Sequence, residues 1–430
     1  MLTFASLIIL SVATASIPLL LLAFARPEGA RQRQRGKANT TWPVIAGLLI
    51  VTGAFCAKVF LVSRLEQESE QVPLVSASRK TVAATYPPTP FPFKDTSTPG
   101  YTRPYHWQAL PAVAPYPPDN PTTPAKVALG RKLFNDRNLS ADRTVSCASC
   151  HNLLLRAGAD GKKVAQGIGG KRGPRNTPTV WNAAFQKKLF WDGRASSLEQ
   201  QALQPILNPI EMGMTSEQAI IDRLTANPDY RSAFSRAFGE DTITIDRVTK
   251  ALASYQRTLV TNDSPYDDFV RGDSNALNRE QLNGMALFER SGCVLCHSGP
   301  NFSTASLYGD NPPLRLFPAN PSPLTEDLGL TDANTGKPAA WRVPSLRNVA
   351  LTGPWLHNGE VKTLEDVVRI MATAQLGKSR GKRVVWSGNQ LIVAENPPLT
   401  DSDVRAIVAF LKTLSSRQLA TSGATAVTDQ

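Results

Sequence analysis

Cys147-Ala148-Ser149-Cys150-His151 and Cys293-Val294-Leu295-Cys296-His297 are two copies of one pentad, and they use four of the chain's five cysteines. Cys-x-x-Cys followed at once by His is the attachment pattern of c-type haem. The two thiols add to the vinyl groups of one porphyrin, and the adjacent imidazole becomes the proximal iron ligand. Zinc ribbons and thioredoxin-like motifs share the cysteine spacing but not the obligatory His. The pentads therefore point to two covalently bound haem c groups, with His151 and His297 on the irons.

The sequence around the pentads repeats as well. Gly130-x-x-Leu133-Phe134 precedes the first and Gly284-x-x-Leu287-Phe288 the second. Beyond them, Pro178-Thr179-Val180-Trp181-Asn182-Ala183-Ala184 matches Pro344-Ser345-Leu346-Arg347-Asn348-Val349-Ala350. Without a gap, Trp191-Asp192-Gly193 then falls on His357-Asn358-Gly359, and Leu198-Glu199 on Leu364-Glu365. This predicts a mainly α fold of two duplicated cytochrome c-like haem domains, residues 119–275 and 276–416. Helical spacing is clear in Ile245, Val248, Leu252, Tyr255 and Leu259. It recurs in Val404, Ile407, Val408, Leu411 and Leu414, behind a Thr400/Ser402 start signal. No stretch gives sustained period-two alternation, and residues 417–430, small and polar towards the end, read as a disordered tail.

The same register compares the two irons. Pro205 falls on Met371, a thioether that would cap the His297 haem and raise its potential. A lone Met more often fills a core gap, but the Val367-Val368 helix leads to this one after a haem pentad, which favours the ligand. Pro205 has no donor, and residues 152–190 contain no His, Met, Tyr or Cys. Met212 and Met214 could ligate, though both are offset from the register. The His151 iron is thus expected to be open and suited to chemistry, and the His297 iron closed and suited to electron transfer. An open haem that activates peroxide needs a proton-moving base and polar groups around the leaving oxygen. Glu211 and Gln201 are candidates for those roles, with a solvated Glu and a surface Gln as the plainer alternatives. Trp191 could pass an electron between the haems or be a core aromatic.

With only four histidines in 430 residues, few ligands remain once the pentads are served. Residues 2–25 are apolar, a basic stretch follows (Arg26, Arg31, Arg33, Arg35, Lys37), and a second apolar run spans Pro43 to Val62. That pattern predicts a membrane anchor of one or two transmembrane helices in residues 1–64 of the inner membrane, with the rest in the periplasm. A cleaved signal peptide over residues 31–57 is the rival, but Phe55 and Cys56 form no small-residue cleavage site. Periplasmic placement suits Cys-x-x-Cys-His attachment, which occurs outside the bacterial cytoplasm. Residues 65–118 are Pro-rich and read as an extended linker or a strap on the globular part, carrying His106 in a structural role. The net charge of +12 partly reflects membrane topology. Otherwise it favours a small acidic electron carrier as partner, and nucleic acid is not expected.

These residues resemble the bacterial di-haem cytochrome c peroxidase family, which includes the MauG-type cofactor-maturation enzymes. The likeness covers roughly residues 115–416. It rests on Asp119-Asn120-Pro121, Leu129–Phe134, Cys147–Asn152, Gly173–Thr179, Phe190-Trp191-Asp192-Gly193-Arg194, Asn208–Met212 and Leu346–His357. The resemblance implies a calcium ion held by the Asn176 side chain and the carbonyls of Thr352 and Pro354. It also implies an inter-haem tryptophan at Trp191, a peroxidatic pocket at Gln201, Pro205 and Glu211, and a distal ligand at Met371. His357 matches a family His beside the second haem, orienting its edge rather than ligating iron. Many family peroxidases carry a removable distal His after the first pentad; the aligned loop here is Gly167-Ile168-Gly169-Gly170. MauG-type enzymes replace the distal Met with Tyr, whereas this chain keeps Met371. The expectation is a peroxidase that reduces hydrogen peroxide with electrons from a small acidic cytochrome c or cupredoxin, with a homodimer among the expected assemblies. The alternatives are MauG-like maturation of a protein-derived cofactor, and a di-haem electron-transfer subunit without peroxidase activity.

Overall fold

The computed structural model describes residues 105–306, 312–320, 323–326, 339–378, 381–387 and 390–427. The expected membrane anchor, Cys56 and most of the Pro-rich linker lie outside the described residues. Among those described, no helix is long and apolar enough to cross a membrane.

The first half contains α1 (Pro124–Asn135), α2 (Cys147–Cys150), α3 (Leu198–Leu207), α4 (Glu217–Thr225), α5 (Pro228–Phe238) and α6 (Ile245–Gln256). The second contains α7 (Pro265–Val270), α8 (Arg279–Arg290), α9 (Pro323–Glu326), α10 (Leu364–Ile370), α11 (Asp401–Lys412) and α12 (Arg417–Val427). Local signals place the starts. Thr123 caps α1, with Pro124 in its first turn, Thr244 caps α6, and Asn278 and Thr400 close capping boxes at α8 and α11. In each half one crossing pair forms the core. Gly130 of α1 lies against the backbone of Ala251 in α6, and Gly284 of α8 against that of Ala406 in α11. A methyl group at either glycine would collide with the facing carbonyl, so the repeated Gly-x-x-Leu-Phe is a packing requirement. Leu133, Phe134, Val248 and Leu252 fill the first core, and Phe288, Val404, Ile407 and Phe410 the second. Each such side chain contributes on the order of 2 kcal/mol through burial.

The duplication holds in backbone detail. Asn182 and Asn348 both take φ of 61°, and Phe190 and Leu356 are likewise left-handed. Short helical turns follow each Asn, at Ala183–Phe185 and Val349–Leu351. The two Asn side chains meet between the halves, where Asn182 Nδ2 donates to the Thr261 hydroxyl at 2.9 Å and Asn348 Nδ2 at 3.0 Å. One position keeps its role but changes residue. Trp181 Nε1 donates to the Leu153 carbonyl beyond the first pentad, at 2.9 Å. Its counterpart Arg347 donates to the Pro300 carbonyl beyond the second, at 2.6 and 2.9 Å. Arg347 is buried and also meets Asp267 at 2.7 Å.

Several boundaries differ from the sequence reading. The strap is part of the second core: Trp107 packs among Tyr266, Phe288, Phe302 and Phe410, and Leu110 N donates to Asp267 at 3.0 Å. His106 is exposed. Tyr266 also belongs to the second core, with Phe269 and Val270 packed against it, so that core recruits chain from before residue 276. Residues 417–430 are not a disordered tail throughout. Helix α12 covers Arg417–Val427, Leu419 is buried, and Arg417 Nη1 donates to the Asp263 carbonyl at 3.0 Å. Among the described residues, two two-stranded antiparallel sheets are present despite the weak alternation. Strand β1 (Arg315–Phe317) pairs with β2 (Ala339–Trp341), and β3 (Gly381–Ser387) with β4 (Gln390–Asn396).

Candidate active site

Covalent attachment needs each pentad to present two thiols and one imidazole from a fixed turn. Helix α2 does this for the first, with His151 as its C-cap, and a 3₁₀ turn at Cys293–Leu295 does it for the second. His151 Nδ1 lies 3.0 Å from the Gly158 carbonyl and His297 Nδ1 3.1 Å from that of Phe302. A carbonyl partner fixes the proton on Nδ1 and leaves Nε2 free for a metal. Burial keeps both rings neutral, lowering His151 and pushing His297 down to about 4. Burial also raises the thiols, Cys147 and Cys293 to about 12 and Cys150 to about 11.

A cavity of about 420 Å³ opens on His151. It is lined by Cys147, Cys150, Trp191, Gln201, Pro205 and Glu211, among others. The sequence-predicted distal residues are therefore brought to one place. Helix α3 positions two of them. Its core stripe is Leu198, Ala202 and Ile206, and its start is held by Glu199, which pairs with Arg257 at 2.8 Å and accepts from Asn120 at 2.7 Å. Gln201 and Pro205 sit one turn apart on this anchored helix, so they share a face. Pro205 cannot donate to the Gln201 carbonyl, and its ring offers an iron no ligand.

Glu211 follows in the turn after α3. Asn208 Nδ2 donates to its carboxylate at 2.8 Å, and the Ile168 amide donates to its carbonyl at 2.9 Å. Burial holds the Glu211 carboxyl above the usual carboxylate range, against the opposing pull of Arg194 and the Asn208 bond. Ile168 itself packs against Gly213, and it is Gly167 that reaches the cavity wall. Met212 also lines the cavity, packed into the first core, while Met214 is buried in that core.

Trp191 lies at the junction of the two halves. Its Nε1 donates to the Asn176 carbonyl at 2.9 Å, and Asn176 N donates to the His357 carbonyl at 2.7 Å. The rings of Trp191 and His357 meet edge to face, 6.3 Å apart. His357 stacks on Trp341 at 4.3 Å, and burial, with Arg175 nearby, pushes its imidazole down to about 4. Asn176 Nδ2 donates to the carbonyls of Lys162 and Lys163, at 2.8 and 3.3 Å, which leaves Oδ1 for a cation. Such neutral oxygen donors suit calcium. Met371 opens a π-helical turn, Met371–Gln375, and packs on the cluster of Phe317, Leu356 and Val361, apart from the His151 cavity.

One residue of the site was missed in the sequence. Arg342, from the second half, lines the His151 cavity. It is 5 % exposed, and its Nη1 is buried without a hydrogen-bond partner. A buried cation lacking an anion inside a cavity bordered by two thiols and a neutral imidazole is what a haem, with its carboxylates, would complete. The residues present fit that group.

Residues 124–275 match a family model described as di-haem cytochrome c peroxidase. The chain is 38% identical over 315 residues to the cytochrome c peroxidase Ccp of Escherichia coli, covering 70% of this chain and 61% of that protein. It is 39% identical over 291 residues to the cytochrome c551 peroxidase of Nitrosomonas europaea, covering 67% of this chain and 80% of that one. Among solved structures, it resembles a MauG-like protein associated with microbial copper homeostasis. The TM-score is 0.60 at 30% identity, over 74% of this chain and 96% of the other.

Proposed function

Because the chain belongs to the di-haem cytochrome c peroxidase family, an oxidoreductase family with two c-type haems, we propose that it reduces hydrogen peroxide to water with electrons from a small periplasmic redox protein. Cys147, Cys150 and His151 would hold one haem, and Cys293, Cys296, His297 and Met371 the other. The groups so held supply an iron with a free position for peroxide and a second iron for electron transfer. The observation that carries this reading is the single cavity joining His151 to Gln201, Pro205 and Glu211.

In this reading Glu211 moves the proton from one peroxide oxygen to the other, and its raised affinity for protons suits a group that must both take and return one. Gln201 donates a hydrogen bond to the departing oxygen. Pro205, which has no donor atom, would leave a haem held at His151 able to take peroxide. Trp191 and His357 lie where the halves meet, so electrons pass there from the second half to the first. Asn176 Oδ1 and the carbonyls of Thr352 and Pro354 hold a calcium ion that fixes this junction. Residues 1–64 tether the enzyme to the inner membrane with its haem domains in the periplasm. The excess of positive charge recruits an acidic cytochrome c or cupredoxin.

Fully oxidised protein mixed with peroxide and a reduced small cytochrome c should turn over at once, because the loop around Ile168 carries no histidine to be removed. A lag abolished by prior half-reduction would contradict this. MauG-like oxidation of a protein substrate is the second reading, favoured by the structural likeness to a MauG-like protein. Its signature would be slow turnover with every small donor and stoichiometric oxidation of a protein partner.

A further inference from the structure

We propose that Arg342, a residue of the second haem domain, binds a carboxylate of the haem carried by the first, so that the second half of the molecule completes the first half's cofactor site. Three observations lead there. The Arg342 side chain is fixed, since its amide donates to the Trp191 carbonyl at 2.9 Å and its Nε to that of Phe190 at 2.8 Å. Those two bonds hold the guanidinium at the wall of the His151 cavity and leave Nη1 buried and unpartnered. The nearby carboxylate does not serve it. Asp192 is engaged by Arg175 at 2.6 Å and by Arg194 at 2.9 Å, and makes no hydrogen bond to Arg342.

An unpaired guanidinium at 5 % exposure carries a desolvation cost that a bound anion relieves. Burial pulls this one down to about 10, with Asp192 opposing, in a residue type that otherwise stays charged under all ordinary conditions. The anion that belongs in a cavity walled by Cys147, Cys150 and His151 is a propionate of the attached porphyrin. A guanidinium takes a carboxylate through a short, charge-assisted hydrogen bond. Its positive charge then favours the reduced over the oxidised iron less than it would bare, yet more than a neutral side chain would. Arg342 is thus a positioning residue. It acts on the first haem's potential and, through its bond to the Trp191 carbonyl, on the indole at the domain junction.

The inference rests on the haem reading of the cavity and not on peroxidase activity. Arg342→Gln and Arg342→Lys are made in the two-haem protein, and each haem is titrated separately by its optical spectrum. Mass spectrometry first establishes that both haems are attached; failure to attach the first in wild type would sink the haem reading itself. With both attached, Arg342→Gln should lower the potential of the His151 haem, leave that of the His297 haem unchanged, and be partly rescued by Arg342→Lys. Equal potentials in all three proteins would overturn the assignment. So would a wild-type first-haem potential that moves with added phosphate at constant ionic strength, since that marks a free anion in the corner. If the Gln variant does not fold, a crystal structure of wild-type holoenzyme decides. A propionate oxygen should lie about 3 Å from Nη1, and one out of hydrogen-bond reach contradicts the proposal.

Discussion

Asn176 and Arg342 occupy the same place in the two sequence repeats, and each donates its backbone amide to the other half. Asn176 reaches the His357 carbonyl at 2.7 Å and Arg342 the Trp191 carbonyl at 2.9 Å. The acceptors are themselves a repeat pair. The junction is therefore a reciprocal exchange of hydrogen bonds about a local pseudo-twofold axis. The side chains have diverged around that shared backbone pattern. Asn176 turns its amide to the carbonyls of Lys162 and Lys163, while Arg342 borders the first haem's cavity.

A second shared element gives a stability prediction. The amides of Asn182 and Asn348 both use the buried Thr261 hydroxyl. Thr261→Val keeps the shape, orphans Asn348 Nδ2 and leaves Asn182 Nδ2 only the Thr261 carbonyl at 3.4 Å, at about 1–3 kcal/mol for a buried group left unsatisfied. Denaturant unfolding of the two-haem protein should show a loss of at least about 1 kcal/mol, with little change in either haem's spectrum. A variant as stable as wild type would mean that the shared hydroxyl does not couple the halves.

Glu211→Gln separates chemistry from stability. General acid–base groups typically contribute about 10²- to 10⁴-fold, so peroxide turnover should fall at least about a hundredfold. Burial raises the Glu211 carboxyl, so folding favours its protonated form. Its contribution to stability is present below the unfolded value and lost as pH rises through the folded one. At neutral pH the charged side chain is a cost, and the Gln variant should melt no lower than wild type. The acid limb of the pH–rate profile should also sit above the range of an ordinary carboxylate and vanish in the variant. Unaltered turnover would remove Glu211 from the mechanism.

Met371→Ala concerns the other iron alone. Thioether ligation raises a haem's potential, so the His297 haem should drop in a redox titration and the His151 haem should not move. An unchanged titration would make Met371 a packing residue of the Phe317–Leu356 cluster.

Much of this was legible before folding, for physical reasons that differ by residue. Porphyrin attachment demands a rigid spacing, so Cys147–His151 and Cys293–His297 announce themselves. The collision that a side chain at Gly130 or Gly284 would cause explains why the repeat stays visible around them, and the gapless register carried Pro205 onto Met371. Arg342 was hidden because its role arises only when one repeat packs on the other, and its counterpart is an asparagine. The β3–β4 hairpin had a signal in Gly388-Asn389 between two valine- and isoleucine-bearing runs. Short apolar runs of this kind do not separate strand from buried helix by period alone. The stretch around Trp107 reads as linker or strap alike, because Pro-rich chain without periodicity says nothing of what it lies against. The helix at Arg417–Val427 is built from small residues whose modest pattern is settled by the burial of Leu419.

If duplication has left the His151 iron open and the His297 iron closed, the two irons differ in spin state. Electron paramagnetic resonance of the fully oxidised protein should give one high-spin signal, from the His151 haem, and one low-spin signal, from the His297 haem capped by Met371. Two low-spin signals would contradict the account. They would mean that a side chain, with Met212 at the cavity wall a candidate, closes the first iron as well.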